Sequence, residues 1–450
     1  IVGAGKVGVA LTRHLAVENR VTVIDQNPHL VENIINIYDV MGVCGNGASY
    51  DVQKEADVEQ ADLLIATTSS DEINILTCLV AKKMGVQHTI ARIRSPEYGR
   101  QLRFMRSELG LSMAINPEAA TAREIARVLR FPTAMKLESF SKGRLELVEY
   151  RVAEHTALDG TRLSELYRNF KVRVLICAVA RQGETIIPSG DFTLRAGDKI
   201  YLTAAPRELE KFFRLLGVFR ARASSVMIVG ASKMCYYLAS ELLEMGMSVK
   251  IIDQNEQRCV EMSEKLPRAL VIVGDGTDSE LLSEEGISQT DAFVAITGLD
   301  EANILMALSA AKQSGDCCKV VAKINRKSLL ELVSTESLID SVVSTGAVTT
   351  ELILQYIRAM KNASASKVKT LHRIVDEKVE ALEFSVTPDI SFAGVPLRDL
   401  NLKRGLLLAG IVRQNGQIVI PSGNDVLHLH DDVIVVTTDT QLEDLRDILA

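Results

Sequence analysis

The chain opens with Ile1-Val2-Gly3-Ala4-Gly5-Lys6-Val7-Gly8, and the apolar run Arg20-Val21-Thr22-Val23-Ile24 then ends in Asp25. Strand, glycine turn, helix and a second strand closed by an acid is the order that a dinucleotide-binding unit requires. Gly3 would permit the tight turn, and Gly5 the close approach of backbone to pyrophosphate. Gly8 would let the helix lie against the strand, its N-terminal N–H groups aimed at the phosphates. Asp25 would accept hydrogen bonds from a ribose. Its charge would repel a 2′-phosphate, which disfavours NADP but does not separate NAD from ADP or ATP. Lys6 follows a glycine, yet the GxxxxGK[ST] spacing of a P-loop is absent, so magnesium-assisted phosphoryl transfer has little support.

Around that unit lie 450 residues, too many for one core. Hydrophobic residues make up 47% and charged residues 24%, the balance of a folded globular chain. The net charge is −7, aromatics are 4% and Trp is absent, which argues against a nucleic-acid partner held by a positive field or by stacking. The longest apolar runs, such as residues 405–412, are strand-sized and too short to span a bilayer. Cys44, Cys78, Cys177, Cys235, Cys259, Cys317 and Cys318 include no CxxC pair, so free thiols of a reducing cytoplasm are expected. The chain starts inside the expected first strand without an initiator Met, and native residues are expected to precede it.

The sequence is written twice. Gly3-Ala4-Gly5-Lys6 aligns with Gly230-Ala231-Ser232-Lys233, and Ile24-Asp25-Gln26-Asn27 recurs as Ile252-Asp253-Gln254-Asn255. Gly45-Asn46-Gly47 recurs as Gly274-Asp275-Gly276, and Asp71-Glu72-Ile73-Asn74-Ile75-Leu76 as Asp300-Glu301-Ala302-Asn303-Ile304-Leu305. Ile187-Pro188-Ser189-Gly190 recurs as Ile420-Pro421-Ser422-Gly423. The order is kept with little drift, which marks a duplication. In each copy, strands alternate first with helical patterns and then give way to short period-2 strands and glycine turns. The α/β reading is two Rossmann-like doubly wound parallel-sheet domains, each followed by a small α+β domain. The expected bounds are 1–135, 136–220, 224–362 and 369–450, and the small units are expected to end in helices such as Pro206–Leu215.

Other residues fall where a ligand crevice is expected. Gly45-Asn46-Gly47 would sit at its adenine end or form an ordinary turn. Thr67 and Thr68 end a strand just before Ser70-Asp71, where capping and ligand contact are compatible. Arg92 and Arg94 leave the next strand at the same edge and would meet phosphates or form a salt bridge. In the second copy Ser232 replaces the middle glycine and Cys235 the last. The Ser Cβ would hinder pyrophosphate, and the Cys would force a wider helix–strand contact. Asp253 and Gly274-Asp275-Gly276-Thr277 survive, so that site either binds a nucleotide with altered geometry or is structural. Asn116 and Pro117 signpost a helix. His428 and His430 would share one face of a strand. His155 and His372 complete the histidines of the small units, and no nucleophile–base arrangement accompanies any of them.

On these motifs the chain resembles the family of Trk potassium-uptake regulatory subunits, which carry tandem RCK (regulator of conductance of K⁺) modules; the small domains are then of RCK_C type. The resemblance implies a cytoplasmic protein, peripheral on the inner face of the membrane, that is not an enzyme. It implies binding of NAD(H), with ATP or ADP as further adenine nucleotides, and gating of a TrkH-like membrane potassium translocator. It implies a homo-oligomer, a tetramer giving an eight-unit ring, with helices near 117–130 and 348–360 as candidate interfaces. Carried over, the ligand positions are Gly3, Ala4, Gly5, Lys6, Val7, Gly8, Asp25, Gly45, Asn46, Gly47, Thr67, Thr68 and Arg92. The weaker second set is Gly230, Ala231, Ser232, Lys233, Met234, Asp253, Gly274, Asp275, Thr277 and Thr297. The alternative on the same fingerprint is an NAD-dependent oxidoreductase, which would need an acid or base beside its substrate. A redox-sensing transcriptional or scaffold protein is a third reading, disfavoured by the acidic balance.

Overall fold

The computed structural model describes every residue except 96–97, 99–108, 132, 134, 155, 219–222, 315–317, 334–337, 363–367, 376–377, 440–441 and 443. His155, Cys317 and much of the two expected linkers lie outside the described residues.

Two parallel sheets form in the doubly wound order. In the first, Met41–Cys44 pairs with Thr22–Asp25, Val2 bridges Ile24 and Ala66, and Leu63–Ala66 continues to His88–Arg92 and Met113–Ile115. The second runs Leu270–Val273, Ser248–Asp253, Ser225–Val229, Ala292–Ala295, Lys319–Lys323, Ser341–Val343. In both, the strand order reverses beside the first strand, so a crevice opens at the carboxyl ends where the glycine turn lies. Capping residues set the helix starts. Asn27 accepts from His29 N ahead of the Pro28–Tyr38 helix, and Ser70 from Ile73 N ahead of Asp71–Lys83. Asn116 Oδ1 accepts from Ala119 N at 2.8 Å, as its sequence position predicts, and the Pro117–Arg130 helix buries Ile125, Ala126, Val128 and Leu129.

The remaining sheets are five-stranded and antiparallel. One is ordered Lys136–Phe140, Leu145–Arg151, Lys199–Ala204, Leu175–Arg181, Glu184–Ile186. Its copy is Val368–Ile374, Val379–Ser385, Asp432–Thr437, Leu406–Val412, Ile418–Val419. Each has its own core, and a further core takes side chains from both: Phe140, Leu145, Leu147 and Tyr201 with Val379, Ala409, Ile434 and Val436. The sheets approach closely there, since a Cβ on Gly410 would lie 2.5 Å from Leu145 Cδ2. Ser141 N and Oγ donate to the buried Glu383 carboxylate at 3.2 and 2.7 Å.

The first antiparallel domain ends in the Pro206–Leu215 helix, which buries Leu209, Phe212 and Phe213. Its copy differs from expectation. Among the described residues a 3₁₀ turn, Leu445–Ile448, closes it in place of a helix, held by a capping box between Asp444 and Asp447. By contact the chain condenses into two units, each built from two separated segments: 1–126 with 224–352, and 127–223 with 353–450. No described helix is long and apolar enough to cross a membrane.

Candidate functional site

The first glycine turn is shaped by three different demands. Gly3 has φ +101°, and a Cβ there would lie 2.9 Å from the Thr67 carbonyl carbon and the Thr68 nitrogen. Gly8 packs its Cα on the turn, because an added Cβ would fall 1.9 Å from Gly3 O. Gly5 differs from both. Its φ of −75° and ψ of −173° suit any residue, and a Cβ would meet nothing within 4 Å. The bare backbone at Gly5 therefore faces open space, as a seat for a close ligand would. No side chain caps the Lys6–Leu15 helix, so its first N–H groups remain available to an anion.

Asp25 holds this turn from behind. Its Oδ2 accepts from Ala4 N at 2.6 Å and its Oδ1 from Asn27 N at 2.8 Å. Each oxygen keeps a further lone pair, so the role predicted toward a ribose is compatible with this one. Asp253 does the same in the second copy, accepting from Ala231 N at 2.7 Å and Asn255 N at 2.8 Å.

The second turn spends its donors internally. Ser232 N donates to Gly230 O at 3.0 Å, and Ser232 Oγ caps the Lys233–Glu244 helix by accepting from Cys235 N at 3.4 Å. Gly230 keeps the left-handed φ of +111° beside Thr297. Cys235 is fully buried where the first copy tolerates no Cβ, so the helix meets the two turns differently. Within the protein the Ser232 side chain has a structural use beside the hindrance to pyrophosphate expected of its Cβ. It acts as a cap. Lys233 and Met234 follow in the first helical turn, with Met234 buried.

The facing strand end is held by an amide that motif reading passed over. Buried Asn74 accepts from Thr68 N and Thr68 Oγ1, both at 2.8 Å, and donates to Arg92 O at 2.9 Å. Asn303 repeats this with Thr297 N, Thr297 Oγ1 and Lys323 O. Thr67 Oγ1 donates to Val2 O and Gly3 O, tying the strand to the turn. Asp71, read as cap chemistry, is buried and accepts from Arg94 N and Ser95 N, while the cap itself is Ser70. The paired Asp-Glu-x-Asn motifs are thus the brackets of the crevice rim; their exact recurrence in both copies is the signal that could have shown it.

Arg92 and Arg94 part company. Arg94 Nε pairs with Glu118 Oε1 at 2.5 Å. Arg92 reaches Thr67 O at 3.4 Å, but its buried Nε has no partner among the described residues. Burial lowers its pKa, with Arg94 adding to that and Glu118 and Asp71 opposing. In Gly45-Asn46-Gly47 the glycines answer to packing, since a Cβ would lie 2.7 Å from Val52 Cγ2 at Gly45 and 2.1 Å from Val2 Cγ1 at Gly47. Asn46 is exposed and closes the turn by accepting from Ala48 N. Gly274 and Gly276 are crowded in the same way. Asp275 accepts from Thr277 N and Oγ1, which lower its pKa together with Gln254.

His428 and His430 lie in a turn rather than on a strand face, and His430 has φ +67°. Asp431 bends the chain there by accepting from His428 N at 2.8 Å, and Arg413 Nη1 lies 2.8 Å from His428 Nδ1.

A parallel doubly wound sheet with a glycine turn at its switch point, and an antiparallel domain after it, both occurring twice, define a tandem Rossmann-type chain with two crevices, the first of them open at its turn. The TrkA-N domain family model matches residues 1–117 and 226–345, and the TrkA-C domain model matches 147–217 and 381–450. A Trk system potassium uptake protein TrkA homolog of Archaeoglobus fulgidus is 31% identical over 449 residues, 100% of this chain and 99% of that one. The Trk system potassium uptake protein TrkA of Vibrio alginolyticus is 32% identical over 444 residues, covering 98% and 93%. The chain belongs to the TrkA family of Trk-system potassium uptake proteins. Among solved structures, the GsuK channel bound to NAD matches 98% of this chain and 76% of its own at a TM-score of 0.62, a likeness of fold at 20% identity.

Proposed function

We propose that this chain is a cytoplasmic, nucleotide-binding regulatory subunit that gates a Trk-type membrane potassium translocator. The observation that carries the reading is the first glycine turn, open at Gly5 and with an uncapped helix behind it. Pyrophosphate would lie over Gly3 to Gly8, the ribose against Asp25, and a distal phosphate near Arg92. Thr67 and Thr68 would line the crevice. NAD(H) is the proposed ligand, and ATP or ADP would use the same phosphate and ribose contacts. At the second turn Ser232 leaves a weaker site, in which Lys233, Asp253, Asp275 and Thr297 would take part.

The domain bounds that accompany this reading are 1–135, 136–220, 224–362 and 369–450. The assembly is a homo-oligomer, with a tetramer supplying eight units, and it lies at the inner membrane face through its partner. A nucleotide that favours one of two arrangements shifts the population toward it, and a ring of such units transmits the shift to the translocator without chemistry at the ligand.

The test is potassium flux in vesicles that hold the translocator and this chain, with NADH, NAD, ATP or ADP added. Nucleotide-dependent flux is expected. A flux indifferent to all four would overturn the proposal.

A further inference from the structure

The first crevice is braced by a residue from the other copy. Tyr237 lies on the Lys233–Glu244 helix, directly beyond the second glycine turn. Its hydroxyl accepts from Asn116 Nδ2 at 2.8 Å and donates to Arg94 O at 3.2 Å. Asn116 Nδ2 also approaches Arg94 O at 3.3 Å, and Asn116 Oδ1 caps the next helix. Arg94 is then held at three atoms: its N on Asp71, its O on Tyr237 and Asn116, its Nε on Glu118. Two residues before it stands Arg92, with its partnerless buried Nε. The aligned position in the first copy is Ala10, which has no hydroxyl, so this brace runs in one direction only.

We propose that Tyr237 is a positioning residue for the first nucleotide site, fixing the rim at Arg94 and Asn116 and thereby the reach of Arg92. It touches no nucleotide in this scheme, and the scheme rests on the nucleotide reading of the first crevice given above. Burial raises the Tyr237 pKa, which keeps the hydroxyl protonated and able to donate and accept at once. The two sheet ends face each other independently of this contact. The Lys323 ammonium is lowered in pKa by burial first, and of the groups acting on it Glu118, Lys6 and Arg94 come from the first copy. The brace also ties the first site to the helix that starts at the second turn. Anything that moves that helix would reach Arg94 through one hydroxyl.

The experiment is calorimetry with NADH and with ADP on the full chain and on Tyr237→Phe, Asn116→Ala and the double variant, alongside thermal melts. Tyr237→Phe keeps the ring and loses only the hydroxyl. It is expected to weaken binding about five- to tenfold, with a drop in melting temperature no larger than the loss of one hydrogen bond brings. Asn116→Ala is expected to weaken binding too, and the double variant to be no worse than the more affected single, since both act on one network. Tyr236→Phe, on the adjacent ring, is expected to bind as the wild type does. Wild-type binding with no change in Tyr237→Phe overturns the brace alone. Additive losses in the double variant overturn it as well. Absence of binding to the wild type overturns the nucleotide reading first.

Discussion

Gly5→Ser would convert the first turn toward the second by one side chain. The free protein offers no resistance, because the backbone is in a region open to any residue and the new Cβ meets nothing within 4 Å. By analogy with Ser232 and Cys235, the new hydroxyl would accept the Gly8 N–H. A cap in place of glycine adds a few tenths of a kcal/mol, and the stiffer unfolded chain about 0.4–1 kcal/mol. The melting temperature is therefore expected to hold or rise slightly. Binding should move the other way. The added group occupies the space over the turn, and one N–H is withdrawn from a charged ligand, a loss of about 1.5–3 kcal/mol, or roughly 10–150-fold in Kd. Calorimetry with NADH and ADP, paired with thermal melts, reads both quantities. Gly8→Ala is the contrast: its Cβ at 1.9 Å from Gly3 O should cost about 1–3 kcal/mol of stability as well as affinity. If Gly5→Ser kept full affinity at an unchanged melting temperature, the turn would not be the pyrophosphate seat. If it lowered the melting temperature by several degrees, the space over Gly5 would not be free.

Asp25→Ala and Asp253→Ala each release two backbone N–H groups, and both are expected to destabilise by about 1–3 kcal/mol in urea denaturation, with Asp25→Ala the larger in its effect on nucleotide affinity. Asn303→Ala should cost about 2–4 kcal/mol by the same measurement, since it strands Thr297 N and Lys323 O. Burial raises the Glu146 carboxyl above 4.5 against the opposing Arg130 and Arg127. The folded chain then holds a proton that the unfolded chain has lost, so this contribution to stability falls as pH rises from 4.5 through the folded value. Glu146→Gln should flatten the denaturation midpoint over that window. Among the described cysteines, Cys44 is exposed and should react first with an aromatic disulfide reagent, while burial holds the Cys78 thiol up at about 12.

The doubly wound sheets were legible in the sequence because their signals are local and stated twice, from Gly3 to Asp25 and again from Gly230 to Asp253. What failed to show was how each polar group is used. Ser232 reads only as an obstacle to a ligand, and its use as a helix cap on Cys235 N is visible only in the fold. Asp25 reads as a ligand contact alone, and its second duty, holding Ala4 N and Asn27 N, is visible only in the fold. Tyr237 and Asn116 are 121 residues apart, a pairing that no window of sequence contains. In Leu145–Arg151 the alternation of Leu with Glu suggests one wet face, yet both faces are covered: Leu145 and Leu147 meet the second sheet, and Glu146 is buried on the face of Val148 and Tyr150, paired with Arg130 at 3.2 Å.

The core shared by the two antiparallel sheets also sets a timetable. Its first contributors, Phe140 to Tyr201, leave the ribosome well before Val379 to Val436 exist. At about 5–20 residues per second, that face waits for on the order of ten to fifty seconds, apolar and uncovered. A half-chain ending near residue 223 would wait indefinitely, and its readiest cover is the same face of another copy. The nascent chain thus faces a choice between its own later half and a neighbour on the same message, and any slowing of synthesis in the second half tips that choice toward the neighbour.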